Sequence, residues 1–172
     1  MKTVVMIHGL PGSGKTTLGD LILEVIGGAR INADVVRSSL SRDLKFSNMD
    51  RELQAYRLGR MAALALDIPT TIVNNDLTEH EGRYHLGHLN KTVIVDFVCP
   101  TQRTRDVFDW STRTGCAFPV KKFDIWMNTI DASMCRFPDT AKIYEKPTSV
   151  MNEVTGWKSD EELKSLDRKS VV

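Results

Sequence analysis

The feature that most constrains this chain is a glycine-rich stretch lying between a short apolar run and a helical pattern. Residues 3–7 are apolar and mostly β-branched, which is typical of a strand buried on both faces of a parallel sheet. Residues 9–16 read Gly-Leu-Pro-Gly-Ser-Gly-Lys-Thr, a full match to the pattern G-x-x-x-x-G-K-[ST]. Residues 17–26 carry apolar side chains at helical spacing and end at two glycines. Strand, loop and helix in this order predict a phosphate-binding P-loop.

The loop residues suit a nucleoside triphosphate bound with Mg²⁺. Glycines let successive backbone N–H groups turn toward phosphate oxygens, and the N-terminus of the next helix adds positive potential. Lys15 is expected to reach the β- and γ-phosphates, and Thr16 to place its hydroxyl on Mg²⁺. The sequence therefore predicts ATP and Mg²⁺ as cofactors, with the nucleotide contacted by Gly9, Gly12, Ser13, Gly14, Lys15, Thr16 and Thr17.

The rest of the chain alternates strand-like and helical segments. Strands are predicted at residues 29–31, 70–73, 92–98 and 123–127, and helices at 52–66 and 101–112. This alternation favours an α/β fold of the P-loop NTPase type, with three layers and a central parallel sheet. A length of 172 residues fits one domain, residues 1–172, with a surface helix over 158–172.

Composition argues against several classes of protein. With 41% hydrophobic and 26% charged residues, a disordered, collagen-like or coiled-coil chain is not expected. The net charge of +1 gives no strong field toward nucleic acid or a membrane surface, and no apolar run reaches the length of a membrane span. The three cysteines show no CxxC spacing, which argues against a disulfide framework or a zinc cluster and favours a cytoplasmic location.

Two carboxylates are expected beside the loop, because ligands of open α/β sheets bind at the carboxyl ends of the strands. Asp34 follows the second predicted strand and has Arg37 three residues on. Asp34 is a candidate to accept the proton of an attacking hydroxyl, and Arg37 to hold an anionic acceptor. The alternative is an N-cap aspartate with a solvated arginine. Asp96 ends an apolar run and is a candidate Mg²⁺ ligand through water, or else a hydrogen-bonded strand carboxylate.

Several segments together resemble the adenylylsulfate (APS) kinases in order and spacing, over roughly two thirds of the chain. They are residues 9–17, 32–37, 43–51, 57–59 and 99–106. The resemblance implies an ATP-dependent kinase with a nucleotide acceptor, and it implies that Asp34 activates that acceptor. It also implies that Arg37, Phe46 and Arg51 contact the acceptor, with Phe46 stacking on a base. The alternative for Phe46 is a core phenylalanine.

The chain departs from this family at specific positions. Gln54 stands where the family has Asn and Cys99 where it has Ser, and both are carried over as acceptor-binding positions. The family's Lys-Gly-Leu-Tyr lid sequence is absent, and residues 135–147 instead resemble the ending of phage-encoded members. The Asp34 and Arg37 pair is equally similar to that of polynucleotide kinases.

Three functions therefore stay open. The first is a kinase for a nucleotide-type small molecule such as APS. The second is a kinase for a hydroxyl on nucleic acid, either a 5′ end or a 5-hydroxymethylpyrimidine such as 5-hydroxymethyluracil in phage DNA, acting in the host cytoplasm. The third is a non-catalytic ATP-binding switch. The sequence also leaves open whether the chain forms a homodimer.

Three arginines are candidates to neutralise the transferring phosphoryl group, namely Arg103, Arg105 and Arg136. Arg136 is preferred as a catalytic residue because it follows the strand at 123–127 in a lid position. For Arg103 and Arg105, a solvent-exposed position on a helix is an equally good interpretation. The His-rich segment 79–90 resembles a metal cluster in composition, but it is interpreted as a solvated loop because no regular pattern would set the ligand geometry.

Overall fold

The computed structural model describes residues 2–67, 71–72, 84–85, 91–148 and 152–155. Its strands are β1 (Lys2–Gly9), β2 (Ala29–Asn32), β3 (Thr71–Ile72), β4 (Tyr84–His85), β5 (Thr92–Phe97), β6 (Val120–Asn128) and β7 (Asn152–Thr155). Its α-helices are α1 (Lys15–Ile26), α2 (Ala33–Ser38), α3 (Asn48–Asp67), α4 (Gln102–Gly115) and α5 (Pro138–Lys142), and one 3₁₀ turn spans Ala132–Met134.

Five strands form one parallel sheet in the order β2-β5-β1-β6-β7. The strand that leads into the glycine-rich loop is therefore central, and its carboxyl end is flanked by the ends of β5 and β6. Strands β3 and β4 pair separately, as a two-residue antiparallel ladder. The predicted α/β fold with a central parallel sheet is confirmed.

The continuous apolar run of β1 is explained by helices on both faces of the sheet. Val4 and Met6 point to one face and join a buried cluster with side chains of α3 and α4, including Leu58 and Phe108. Side chains of β1 at the odd positions point to the other face, where α1 covers them. A strand covered on both sides has no polar face, so its sequence shows no alternation.

Strand β7 and helix α5 were not predicted from the sequence. β7 pairs with β6 at the sheet edge, and its four residues are mostly exposed. An edge strand needs no apolar pattern, so its sequence carries little signal. The predicted helix over 158–172 and most of the His-rich segment 79–90 lie outside the described residues. Within the described ranges, no helix has the length and apolar character to cross a membrane.

Candidate active site

The glycine-rich loop joins the central strand to α1 in the conformation that its sequence predicts. Gly12 and Gly14 have φ angles of 88° and 89°, a left-handed conformation that favours glycine. Gly14 is also the N-cap of α1, so the loop leads directly into the helix N-terminus. Lys15 Nζ donates a hydrogen bond to the Leu10 carbonyl oxygen at 2.8 Å.

The ammonium of Lys15 is held in a largely desolvated position. Burial lowers the pKa of Lys15 to about 8, although the nearby carboxylates of Asp34 and Asp96 act in the opposite direction. A positive charge that has lost water gains strongly from a phosphate group, because the phosphate replaces the missing partner. The position of this lysine is therefore suited to an anion.

Asp96 is buried at the end of β5 and held by three side chains. It is 2% exposed and accepts from Arg30 Nε at 2.8 Å and from Asn32 Nδ2 at 2.6 Å. The hydroxyl of Thr16 donates to it at 3.4 Å. A carboxylate beside a threonine hydroxyl supplies the hard oxygen ligands that Mg²⁺ prefers, and Mg²⁺ usually keeps several of its waters. The residues present therefore fit a hydrated Mg²⁺ ion.

Asn32 connects this carboxylate to the start of α2. While its Nδ2 donates to Asp96, its Oδ1 accepts from the backbone N–H groups of Asp34 and Val35, both at 3.0 Å. Asn32 is thus the N-cap of α2, so the alternative in which Asp34 serves as the cap is wrong. The carboxylate of Asp34 is exposed in the first turn of the helix.

A cavity of about 860 Å³ lies between the loop and the segment that contains α5. It brings together residues that are far apart in the chain: most of the loop, Asp34, two acceptor-side residues and Arg136. The predicted site residues along its wall are Gly12, Gly14, Lys15, Thr16, Thr17, Asp34, Phe46, Arg51, Asp96 and Arg136.

The acceptor side of the cavity is built around an exposed aromatic ring. Phe46 is 66% exposed, so the alternative of a core phenylalanine is wrong. The guanidinium groups of Arg37 and Arg51 lie 4.8 and 5.5 Å from its ring centroid. Arg51 also donates to the Phe46 carbonyl at 3.0 Å and to Thr140 Oγ1 at 3.3 Å, which ties the start of α3 to α5. The ring therefore has two cations beside it and stays largely exposed.

Sequence reasoning missed a second aromatic residue at this cavity. Phe137 is 58% exposed and lines the same wall as Arg136, immediately before α5. Exposed phenylalanines at a cavity mouth are unusual, because exposure to water is unfavourable for an apolar ring. The missed signal was the Arg-Phe pair in the segment that replaces the family's lid sequence.

Three predicted acceptor residues are not among the described residues that line the cavity, namely Arg37, Gln54 and Cys99. Gln54 is 3% exposed and donates to the Ala33 carbonyl at 3.3 Å, so it joins α3 to the start of α2. Cys99 is 2% exposed, and burial raises the pKa of its thiol to about 12. Gln54 is buried where α3 packs against α2, and Cys99 where its strand end packs against α4, so neither side chain reaches the cavity.

Other predicted residues also lie away from the wall. Gly9 and Ser13 do not line the cavity. Ser13 is fully buried, and its carbonyl oxygen accepts a hydrogen bond from Thr129 Oγ1 at 2.7 Å. Arg37 contacts the ring of Phe46 and does not itself line the cavity. Of the other two candidate arginines, Arg105 is buried and donates to the Cys99 carbonyl, and Arg103 is exposed beside Glu52. Only Arg136 of these three reaches the cavity.

Two sequence comparisons relate this chain to known proteins. A family model described as adenylylsulphate kinase matches residues 1–164. An adenylyl-sulfate kinase of Buchnera aphidicola is 29% identical over 97 residues, which cover 51% of this chain. The aligned part spans slightly less than half of that relative, 46% of its length.

Solved structures show the same fold at low sequence identity. An APS kinase of Mycobacterium tuberculosis, in complex with AMPPNP and APS, superimposes with a TM-score of 0.63 at 18% identity, covering 97% of this chain and 96% of the other. A gluconokinase of Sinorhizobium meliloti superimposes with a TM-score of 0.60 at 15% identity, covering 97% and 93%.

Proposed function

The chain belongs to the adenylylsulphate kinase family, and from this premise we propose that it is an ATP-dependent kinase acting on a nucleotide-type acceptor. The reaction transfers the γ-phosphate of ATP to a hydroxyl group. The observation that carries the proposal is the single cavity that the glycine-rich loop, Asp34 and the acceptor residues Phe46 and Arg51 line together. Residues 1–172 act as one kinase domain, and the reaction takes place in the cytoplasm.

The donor side of the proposed reaction uses the loop and its lysine. Backbone N–H groups of Gly12 and Gly14 surround the phosphates, and the ammonium of Lys15 leaves the Leu10 carbonyl to contact the β- and γ-phosphates. Thr16 and, through water, Asp96 would hold Mg²⁺. The bound ion would supply positive charge against the phosphate oxygens.

The acceptor side supplies a base and a cation. Asp34 accepts the proton of the attacking hydroxyl as its oxygen forms the new bond to the γ-phosphorus. The bond from that phosphorus to the β–γ bridging oxygen breaks, and ADP leaves. Arg136, which lines the same cavity, stabilises the negative charge on the transferring phosphoryl group.

Two exposed rings favour an acceptor that carries a base. Phe46 and Phe137 come from distant parts of the chain and line the same cavity. Two such rings suit a ligand with a flat aromatic group that can stack between or against them. Every nucleobase has such a face, so stacking alone selects a base without selecting which one. This supports a nucleotide over a sugar or a small acid.

A hydroxyl on nucleic acid is less well supported than a small acceptor. Two features of the sequence favour it, the absence of the family's lid sequence and a basic stretch over residues 103–122, but several cations of that stretch have protein partners. Arg103 contacts Glu52 at 3.4 Å, and Lys122 lies 2.6 Å from Asp109 and 3.3 Å from Asp124. Charges neutralised in this way contribute little to binding a phosphate backbone.

The direct test is incubation with γ-labelled ATP and four acceptors: APS, nucleosides, unmodified DNA and hydroxymethyl-modified DNA. We expect label on a small nucleotide-type acceptor. Transfer only to DNA, with a steep dependence on salt, would establish the nucleic-acid reading instead. Slow hydrolysis that no hydroxyl compound changes would indicate an ATP-binding switch and overturn the proposal.

A further inference from the structure

His8 is a fully buried histidine to which the proposed reaction assigns no role. It lies on β1 directly before Gly9 and is 0% exposed. Its Nδ1 is 2.9 Å from the hydroxyl of Tyr144, and its Nε2 is 2.9 Å from Asp124 Oδ1 at an angle that departs from a straight hydrogen bond. Both ring nitrogens therefore face oxygen atoms of distant parts of the chain.

The chemistry of these partners determines where the protons are. Burial lowers the pKa of His8, so near neutral pH the imidazole is uncharged and carries one N–H. A carboxylate only accepts, so the hydrogen is on Nε2 and faces Asp124. Burial raises the pKa of Tyr144, so its hydroxyl keeps its proton and donates it to Nδ1. The bond thus runs from Tyr144 to His8.

Tyr144 belongs to the part of the chain that borders the cavity opposite the loop. We call residues 136–145 the α5 segment. At its end, the backbone N–H of Glu145 donates to the Pro100 carbonyl at 2.7 Å, and its carboxylate accepts from the Gln102 N–H at 2.6 Å. At its start, Arg136 and Phe137 line the cavity. The segment therefore runs from the cavity wall to an end that is hydrogen-bonded to residues 100 and 102.

We infer that His8 and Tyr144 form a positioning pair that fixes the α5 segment to the strand of the phosphate-binding loop. Because His8 precedes Gly9, one strand end then sets the position of both the loop and the opposite wall. The pair does not touch the reacting groups. It acts through Arg136 and Phe137, so its effect on turnover rests on the proposed function.

The test is Tyr144→Phe, which removes one hydroxyl and leaves the Nδ1 of His8 without its donor. Amide hydrogen exchange in residues 137–145 of the nucleotide-free protein should become about tenfold faster, since a buried acceptor is left unpaired. With the accepted substrate, kcat should fall about tenfold while KM for ATP stays unchanged. Tyr56→Phe removes a hydroxyl from a partly exposed ring on α3 and should change neither quantity.

A second pair of variants separates the hydrogen bond from simple packing. His8→Asn keeps an oxygen near the position of Nδ1 that can accept from Tyr144, so exchange and kcat should stay close to those of the native chain. His8→Leu fills a similar volume without an acceptor and should behave as Tyr144→Phe does.

The exchange measurement needs no activity, so the two proposals fail separately. Unchanged exchange in Tyr144→Phe, or equal kcat in His8→Asn and His8→Leu, would overturn the positioning pair even in an active kinase. Faster exchange in a protein that phosphorylates no acceptor would support the tether between His8 and Tyr144 and overturn the kinase proposal.

Discussion

The ammonium of Lys15 lies 2.8 Å from the carbonyl oxygen of Leu10, within the same glycine-rich loop. The loop thus supplies a partner for its own cation at the point where a phosphate is expected. This hydrogen bond compensates only in part for the hydration that the ammonium has lost, because burial still lowers the pKa of Lys15 to about 8. A phosphate would replace a neutral carbonyl with a full negative charge.

The affinity for ATP should depend on pH through Lys15. Above pH 8 the ammonium of the nucleotide-free protein deprotonates, so affinity should fall by about tenfold per pH unit between pH 8.5 and 9.5. Calorimetric titration with ATP at fixed ionic strength measures this. Lys15→Arg keeps its charge over this range and should bind more weakly, with no such slope. A slope shared by both proteins would assign the effect to another group.

The same pKa predicts how folding stability changes with pH. An unfolded lysine holds its proton up to about its ordinary value of 10.5, whereas folded Lys15 releases it near 8. The unfolded state therefore binds more protons between these values, and the contribution of Lys15 to stability rises with pH in this window. Urea unfolding of the native chain and of Lys15→Met at pH 7.5 and 9.5 should show a rise that only the native chain has.

Lys15→Met should abolish phosphate transfer without destabilising the fold. Turnover should fall by at least about 100-fold, because the variant lacks the cation that contacts the transferring group. The midpoint of thermal unfolding should be equal or higher, since a desolvated charge has been removed. Lys91→Met, at an exposed position, is the control and should keep native turnover. Native rates in Lys15→Met would refute the role of the loop.

Asp96→Asn should be destabilising because it removes the buried negative charge that pairs with Arg30 and leaves that guanidinium with the carboxylate of the exposed Asp20. Arg30 and Asp96 form a contact of 2.8 Å with side chains that are 13% and 2% exposed. Loss of one member of such a pair costs about 3 kcal/mol, measured by urea unfolding. Adding Arg30→Met should recover part of the loss. If the two changes were additive, the pair would not be coupled.

Phe46→Ala should affect the acceptor and leave ATP binding unchanged. The ring is 66% exposed, so the change in unfolding free energy should stay within about 0.5 kcal/mol. Loss of a stacking contact should raise KM for the acceptor about tenfold. Met49→Ala removes another exposed apolar side chain at the start of α3, 80% exposed, and should have no effect. An equal effect of both variants would exclude stacking.

Arg136→Ala should lower kcat by at least about 100-fold, since an arginine at the transferring phosphoryl group acts mainly in the transition state. KM for ATP should change little. Arg103→Ala, with a side chain that is 72% exposed, should retain native kcat. Steady-state kinetics on both variants distinguishes a specific cation from a general loss of positive charge.

The loop and the central strand could be predicted because their constraints are local. Residues 3–7 must be covered on both faces, and the glycines with Lys15 match one backbone shape. The convergence of Asp34, Asp96 and the loop followed from one rule, that the carboxyl ends of parallel strands share an edge. The roles of Asp34 and Arg136 stay predictions, although both line the cavity.

Contacts between distant segments could not be predicted. Arg30 and Asn32 hold Asp96 only because β2 pairs with β5, in a register that places Asn32 beside Asp96. Gln54 and Cys99 were assigned by their positions in a family pattern, which says nothing about exposure. Packing against α2 and α4 buries both, so neither side chain reaches the cavity.

By itself, the sequence determined a buried strand, a glycine-rich turn and a helix in this order, within an α/β fold that has a parallel sheet. It did so because backbone conformation and strand burial are local demands on residue type. Only the tertiary structure decided which side chains face the cavity, that Phe137 joins Phe46 there, and that His8 meets Tyr144. Such contacts depend on the order of the strands in the sheet and on how the helices pack over it. No short stretch of residues specifies either.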